Sequence, residues 1–445
     1  MKLFPHCALA LFFLLLSAPA YTADQQILPA DLKEEAIELR DAALDENRAY
    51  GIVASLTTEV GPRLAGSAGD KAAVAWALNK LRDLGFENVR AVPVQVPHWV
   101  RGDISVEITS PWPQELTALA LGGSIGTSEA GIEAPIIAVE NLAELHELST
   151  DEVKGKIVFI HGEMKRTKDG SGYGEAGPKR WVGAAEAAKL GAVGLLIRSV
   201  GTDNNATPHT GSTSYEKGVR KIPAAALSNP DADLLERQLA SGRPVTVNMT
   251  LSARYLPDAM SANVIGEIPG ETDEIVLLAA HLDSWDVGTG AHDDGAGVAI
   301  VTAAARQVKK HTGTPLRTIR VVLFANEEFG LSGARAYAKR HADDVDKHVL
   351  AMEADLGGFR VWQFNSYLPK DKVPVAKAVA ELLKPLGVEW GHNHAHGGAD
   401  IGPLMDLGVP VFGPQQDATY YFDLHHTEND TLDKIDPKQL SQNVA

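Results

Sequence analysis

The chain has 445 residues, 44% of them hydrophobic, and a formal net charge of −17. That length suits two domains with sizeable cores, and the acidic balance argues against a general nucleic-acid or anionic-membrane binder. Its single cysteine, Cys7, lies so near the start that a processed chain would have neither disulfides nor a catalytic thiol.

Residues 1–23 combine Lys2, an apolar run from Ala8 to Leu16, and small residues at Ala18, Ala20 and Ala23. This is the layout of a cleaved secretory signal, too short for a comfortable membrane span. It predicts export, periplasmic or extracellular, with no membrane attachment after cleavage. Apolar residues at helical spacing then predict one helix over 29–60 and a second over 67–86, the latter capped by Ser67 or Asp70 and ended by Gly85. Alternation over 89–102 predicts a strand.

From Ile104 to Leu256 the chain changes character. Short apolar runs at 134–140, 155–162, 192–199, 222–228 and 244–251 are separated by Gly, Pro and Ser, with one clear helix over 180–192. This predicts a compact, mainly β domain inserted into another. From Ser261 the rhythm becomes strand, loop, helix: strands at 262–268, 274–280, 318–325, 348–354 and 409–414 alternate with helices at 297–310, 331–341 and 373–386. Continuous apolar strands alternating with helices predict an α/β sandwich around a mixed, largely parallel sheet. A last helix, capped by Asp436 with Pro437 in its first turn, is either very short or cut off.

In such sheets, ligands bind beyond the carboxyl ends of the strands. Here those ends carry His281 and Asp283, then Asn326-Glu327-Glu328, then Asp355, and after 409–414 a loop reaching His425-His426; Asp293 and Asp294 stand between the first of these strands and its helix. Singly, each has an ordinary explanation as a surface pair, a solvated loop or a helix cap. Together, histidines and carboxylates converging on one sheet edge are what a divalent transition metal requires.

At these residues the sequence resembles the M28 family of co-catalytic zinc peptidases, and within it the carboxypeptidase Q group. HLDSWDVGTGAHDDGAG, NEEFGLSGA, MEADLGG and HHTENDT match in order and spacing, and the inserted segment looks like a protease-associated domain. After the signal segment over 1–23, the resemblance implies a peptidase domain over 24–105 and 256–445, and the inserted domain over 106–255. It also implies two zinc ions per chain: His281 and Asp355 on one, Glu328 and His426 on the other, Asp293 bridging both. His426 is chosen over His425 because it precedes the Thr and the later Asp-Thr pair of the motif. Glu327 would be the general base, and Asp283 would orient His281 through its other ring nitrogen; these two are the candidate catalytic residues. The peptide bond after Asp293 is expected to be cis.

The function implied is that of a secreted dizinc exopeptidase acting on short peptides, dipeptides foremost, by metal-hydroxide attack; a broader aminopeptidase is the alternative. A non-enzymatic scaffold is disfavoured, because the ligands and base are all present. No nucleic-acid partner is expected, and a homodimer is compatible with the sequence. His392, His394 and His396 would form an exposed polar loop, the alternatives being a cleft lining or a third metal site. Asp400 is expected to cap the helix after it. The loop Pro208–Tyr215, with His209, either leans over the metals or is ordinary surface.

Overall fold

The computed structural model describes residues 27–46 and 48–445; the expected signal segment, with Cys7, lies outside them. Two eight-stranded sheets organise these residues. Strands of the first sheet are β1 (Glu87–Val100), β2 (Arg254–Ile268), β3 (Thr272–His281), β4 (Arg317–Phe324), β5 (His348–Glu353), β6 (Val361–Tyr367), β7 (Glu389–Trp390) and β8 (Val411–Gln416). They lie in the order β1-β2-β4-β3-β5-β8-β6-β7. Strands β4, β3, β5 and β8 run parallel, so their carboxyl ends share one edge; β1 and β2 pair antiparallel with their neighbours, and β6 pairs antiparallel with β8 and parallel with β7.

Both faces of this sheet are covered, which is why its strands read as unbroken apolar runs. Leu278 and Ala280 of β3 face one cluster, with Val264, Val321 and Leu323. That cluster is closed by helices α1 (Ala30–Glu46), α2 (Ala49–Glu59), α3 (Ala68–Asp83), α4 (Gly297–Thr312) and the last helix, Pro437–Val444. Leu277 and Ala279 face the opposite cluster, with Phe324 and Tyr337 of the helix Ser332–Arg340. The single helix expected over 29–60 is two helices: Arg48, at φ −107° and ψ 8°, departs from helical geometry between them. The cap of α3 is Ser67, whose Oγ accepts from Asp70 N, while Asp70 itself accepts from Gly66 N and Ser261 Oγ. The terminal helix, capped by Asp436, seats Leu440 and Val444 in the core and holds the backbone of Val361 through Gln442.

The chain leaves the first sheet at Val100 and returns at Arg254, and these two residues are register partners. Between them lies the second sheet, whose strands fall between Ile104 and Leu251 and whose centre is a parallel run of Ile132–Val139, Ile157–Ile160, Gly194–Arg198 and Ala224–Leu227. The helix expected over 180–192 is split into Pro178–Trp181 and Gly183–Lys189 at Val182, whose φ of −124° breaks the repeat. A further helix, Asn229–Leu239, was not anticipated, although Ser228 caps it and Pro230 sits in its first turn. Among the described residues no helix is long and apolar enough to cross a membrane.

Candidate metal centre

His281 is the last residue of β3 and pairs with Phe324, the last of β4. The chain beyond Phe324 turns through Asn326, at φ +63°, and brings up Glu327 and Glu328. On the other side β5 ends at Glu353, level with Ala279, so that Asp355 comes level with His281. The loop after β3 doubles back into α4 and presents Asp293, whose bond to Asp294 is cis as expected.

Asp293 lies at the centre. Its Oδ1 is 3.1 Å from His281 Nε2, and its Oδ2 is 3.3 Å from His426 Nε2. On the first side, His281 Nε2 is also 3.3 Å from Asp355 Oδ1. On the second, His426 Nε2 is 3.0 Å from Glu328 Oε2, while Glu328 Oε1 is buried without a hydrogen-bond partner. The four other residues expected to hold metal therefore gather around the Asp293 carboxylate, and Glu327 lines the same cleft. His425 is close as well, with Nε2 3.7 Å from Asp293 Oδ2 and its ring stacked on that of His426.

The neighbours fix these side chains. Asp283 does not reach His281 with its carboxylate, which is 3.9 Å from Nδ1; the backbone carbonyl of Asp283 meets that nitrogen at 3.1 Å instead. The Asp283 carboxylate accepts from Glu327 N, so it positions the candidate base rather than the imidazole. Asp294 accepts from His281 N and Gly297 N, tying β3 to the start of α4. Asp430 accepts from His292 N and Asp293 N, holding the backbone that carries the central carboxylate. His292 takes no part in the cluster: its Nδ1 accepts from Gly358 N, and its ring stacks on Phe359. Asp286 forms an ion pair with Arg101.

Two contributions escape a reading of the sequence. Arg63, fully buried, donates to the carbonyls of Leu282, Thr289 and Gly290, and so clamps both ends of the loop that carries the site. A lone arginine in a glycine-rich apolar stretch was its only signal. The loop Pro208–Tyr215 does lean on the site: Thr210 O accepts from His426 Nδ1 at 3.2 Å, and His209 reaches His425 O at 2.8 Å while its other nitrogen meets Asp203. Asp400, by contrast, caps nothing. Its two carboxylate oxygens are buried without partners, and the following backbone amide, Ile401 N, is held by Glu353 instead. His392, His394 and His396 are exposed along an adjoining cleft. Among the described residues, the His and carboxylate groups close enough to hold an ion are those around Asp293, so these three histidines form no third site.

The electrostatics follow from crowding. Burial pushes the Glu327 and Glu328 carboxyls well above the usual range, and neighbouring carboxylates push them further. Burial opposes protonation of His281, but Asp355 and Asp293 outweigh it and raise its pKa well above the ordinary value. Burial likewise disfavours ionised Asp293, yet hydrogen bonds from His281 and His426 hold it well below the carboxylate range. Such a set is relieved either by protonation of the raised carboxyls or by a positive charge among the oxygens.

Residues 263–445 match the family model Peptidase family M28. Carboxypeptidase Q of Xenopus laevis is 37% identical over 409 residues, covering 92% of this chain and 86% of that protein. Aminopeptidase YwaD of Bacillus subtilis is 26% identical over 418 residues, 91% of this chain and 83% of its own. The crystal structure of a peptidase M28 precursor from Shewanella amazonensis has a TM-score of 0.91 and 48% identity, covering 93% of this chain and 94% of that one. A shared sequence across nine-tenths of the chain, with histidines and carboxylates gathered at the carboxyl edge of the sheet, makes this chain a member of peptidase family M28, a metallopeptidase that hydrolyses peptide bonds.

Proposed function

We propose that the protein is an exported dizinc exopeptidase that cleaves short peptides, dipeptides foremost. The observation that carries this reading is the central carboxylate, with one oxygen toward His281 and the other toward His426. That is the arrangement a bridging ligand needs between two cations. The donor set fits zinc: two imidazole nitrogens and three carboxylates are borderline and hard donors in the mixture zinc accepts. Its buried excess of negative charge, and the orphaned Glu328 Oε1, are relieved by cations.

In this reading His281 and Asp355 hold one ion, His426 and Glu328 the other, and Asp293 both. Each histidine has its Nδ1 against a backbone carbonyl, Asp283 O or Thr210 O, which leaves Nε2 as the lone pair. His425 has no such partner at Nδ1, and this favours His426. When bound, the zinc ions supply Lewis acidity at the scissile carbonyl and make a water nucleophilic near neutral pH. Glu327, held by Asp283, accepts a proton from the attacking water and delivers it to the amine nitrogen as the C–N bond breaks. The second sheet is the inserted protease-associated domain over 106–255, and its loop 208–215 forms a wall of the site.

Glu327→Gln tests the assignment. Elemental analysis should find about two zinc ions per chain in both proteins, while turnover of a dipeptide falls by roughly 100- to 10,000-fold. One zinc or none in the unmodified protein would sink the dinuclear reading, and near-normal turnover would remove Glu327 as the base.

A further inference from the structure

Buried lysines are rare unless a carboxylate pairs with them. Lys179, in the short helix Pro178–Trp181 beside the second sheet, is only 5% exposed and has no such partner among the described residues. Three of the carboxylates near it are engaged elsewhere: Glu236 with Arg198, Glu175 with Lys165, and Glu140 at 3.3 Å from His161. Its Nζ donates to Gly162 O, and no other acceptor meets it among the described residues. Burial, with the nearby Arg198 guanidinium adding to it, pulls the amine down to about 7 from the usual 10.5. An ammonium would bring three N–H groups to a place that offers one acceptor. The neutral amine avoids that mismatch, and its lone pair is the nucleophilic form.

This amine is not sealed in the core. It lines a cavity of about 380 Å³ whose walls include Leu142, Ala143, Ala176 and Pro178. Glu140, Glu163 and Glu175 also line it, all exposed, against one exposed lysine, Lys165, so anions are disfavoured. The cavity shares no lining residue with the cleft over the metal centre. Adjacent residues divide the two: Arg180 has Nη1 3.3 Å from His426 Nδ1, while Lys179 lines the separate cavity.

We propose that Lys179 is a covalent capture site for small uncharged aldehydes, which it holds as an iminium inside this cavity. The amine nitrogen bonds to the aldehyde carbon, and the carbonyl oxygen takes up two protons and leaves as water. Starting from the ammonium form, one lysine and one aldehyde give one iminium and one water with charge unchanged, so no oxidant or reductant is needed. Of the three original N–H groups one remains, and it matches the single acceptor, Gly162 O. Glu163, on the same wall, can carry the protons between the nitrogen and the departing oxygen. The chemistry uses no residue of the metal centre and stands whether or not the peptidase reading does.

Trapping with propionaldehyde and cyanoborohydride tests this, each lysine of the full chain being followed by peptide mass mapping. At about pH 7, Lys179 should be alkylated roughly 10-fold faster than exposed lysines such as Lys165 and Lys372. Its rate should level off above about pH 7, whereas theirs climb toward about pH 10. Urea should erase the preference by exposing every lysine alike. Glyoxylate, an anionic aldehyde, should show no preference for Lys179. A Lys179 rate at or below that of the exposed lysines would overturn the proposal, as would a preference that survives urea. Preferential labelling by glyoxylate would overturn the choice of an uncharged ligand. In Lys179→Met the fast phase should vanish while other lysines keep their rates; a fast phase that persists would assign the capture to another amine.

Discussion

The two halves of the metal centre are built in different ways. His281 stands at the end of a central strand, and its ring is held by a carbonyl two residues away, Asp283 O. His426 stands in irregular chain at φ +63°, and its ring is held by Thr210 O, from the other sheet. His425 next to it is likewise pinned from the second sheet, by His209. One half is therefore local and rigid, positioned by hydrogen bonds within the sheet. The other depends on two separately folded layers meeting correctly. In the proposed dinuclear reading both ions must be in register, so the weaker tie sets the tolerance of the whole.

Three experiments would break or sharpen that contrast. The largest effect is expected on the local half, at Arg63. Arg63→Met leaves the carbonyls of Leu282 and Thr289 unpaired in a buried place and strips one of two donors from Gly290 O, which keeps Gly295 N. This should cost about 3–5 kcal/mol of stability, read as a fall in midpoint during denaturant unfolding. A loss under 1 kcal/mol would mean the loop holds itself.

The next is His209→Ala. It removes the tie to the backbone of His425, whose ring lies beside Asp293, but touches none of the five proposed ligands. Chelator titration should show one ion per chain lost with roughly 10- to 100-fold weaker affinity, the other unchanged. Parallel weakening of both would show that the halves do not behave separately.

The smallest concerns pH, through His348 at the start of β5, a position remote from the loop–loop contact. Burial, with Arg320 adding to it, lowers its pKa from about 6.5 to about 4. The unfolded chain then binds a proton that the folded chain refuses, so stability is fully present above about pH 6.5 and lost as pH falls toward 4. Within that window the slope should be about 1.4 kcal/mol per pH unit for this one group. Comparing melts of the unmodified protein and His348→Gln between pH 7 and 5 isolates it; identical acid sensitivity would assign the effect elsewhere.

The same contrast explains what could be read from the sequence. Candidate ligands near strand ends were legible because a strand that is apolar on both faces announces its own carboxyl edge, as at His281, Glu328 and Asp355. The Asp293–Asp294 step was legible from family resemblance, not from pattern. What escaped were groups whose meaning is created by distant chain. Arg63 acts on carbonyls far along the sequence, Thr210 uses a backbone atom that carries no residue signature, and Asp283 exchanges the duties of its carboxylate and its carbonyl. Asp400 looked like a cap because it precedes a helix, but Glu353 occupies that role from below. The helix Asn229–Leu239 did carry its capping signals and was passed over among short apolar runs.

Because Val100 and Arg254 face each other across one hairpin, everything between them is attached at a single point of the first sheet. Changing the length or content of that segment leaves the register of β1 on β2 untouched. Selection can therefore reshape that segment outside the loop 208–215, which holds His426, while the sheet that carries the site keeps its register. Lineages with this architecture are free to exchange one diet of peptides for another without having to rediscover hydrolysis.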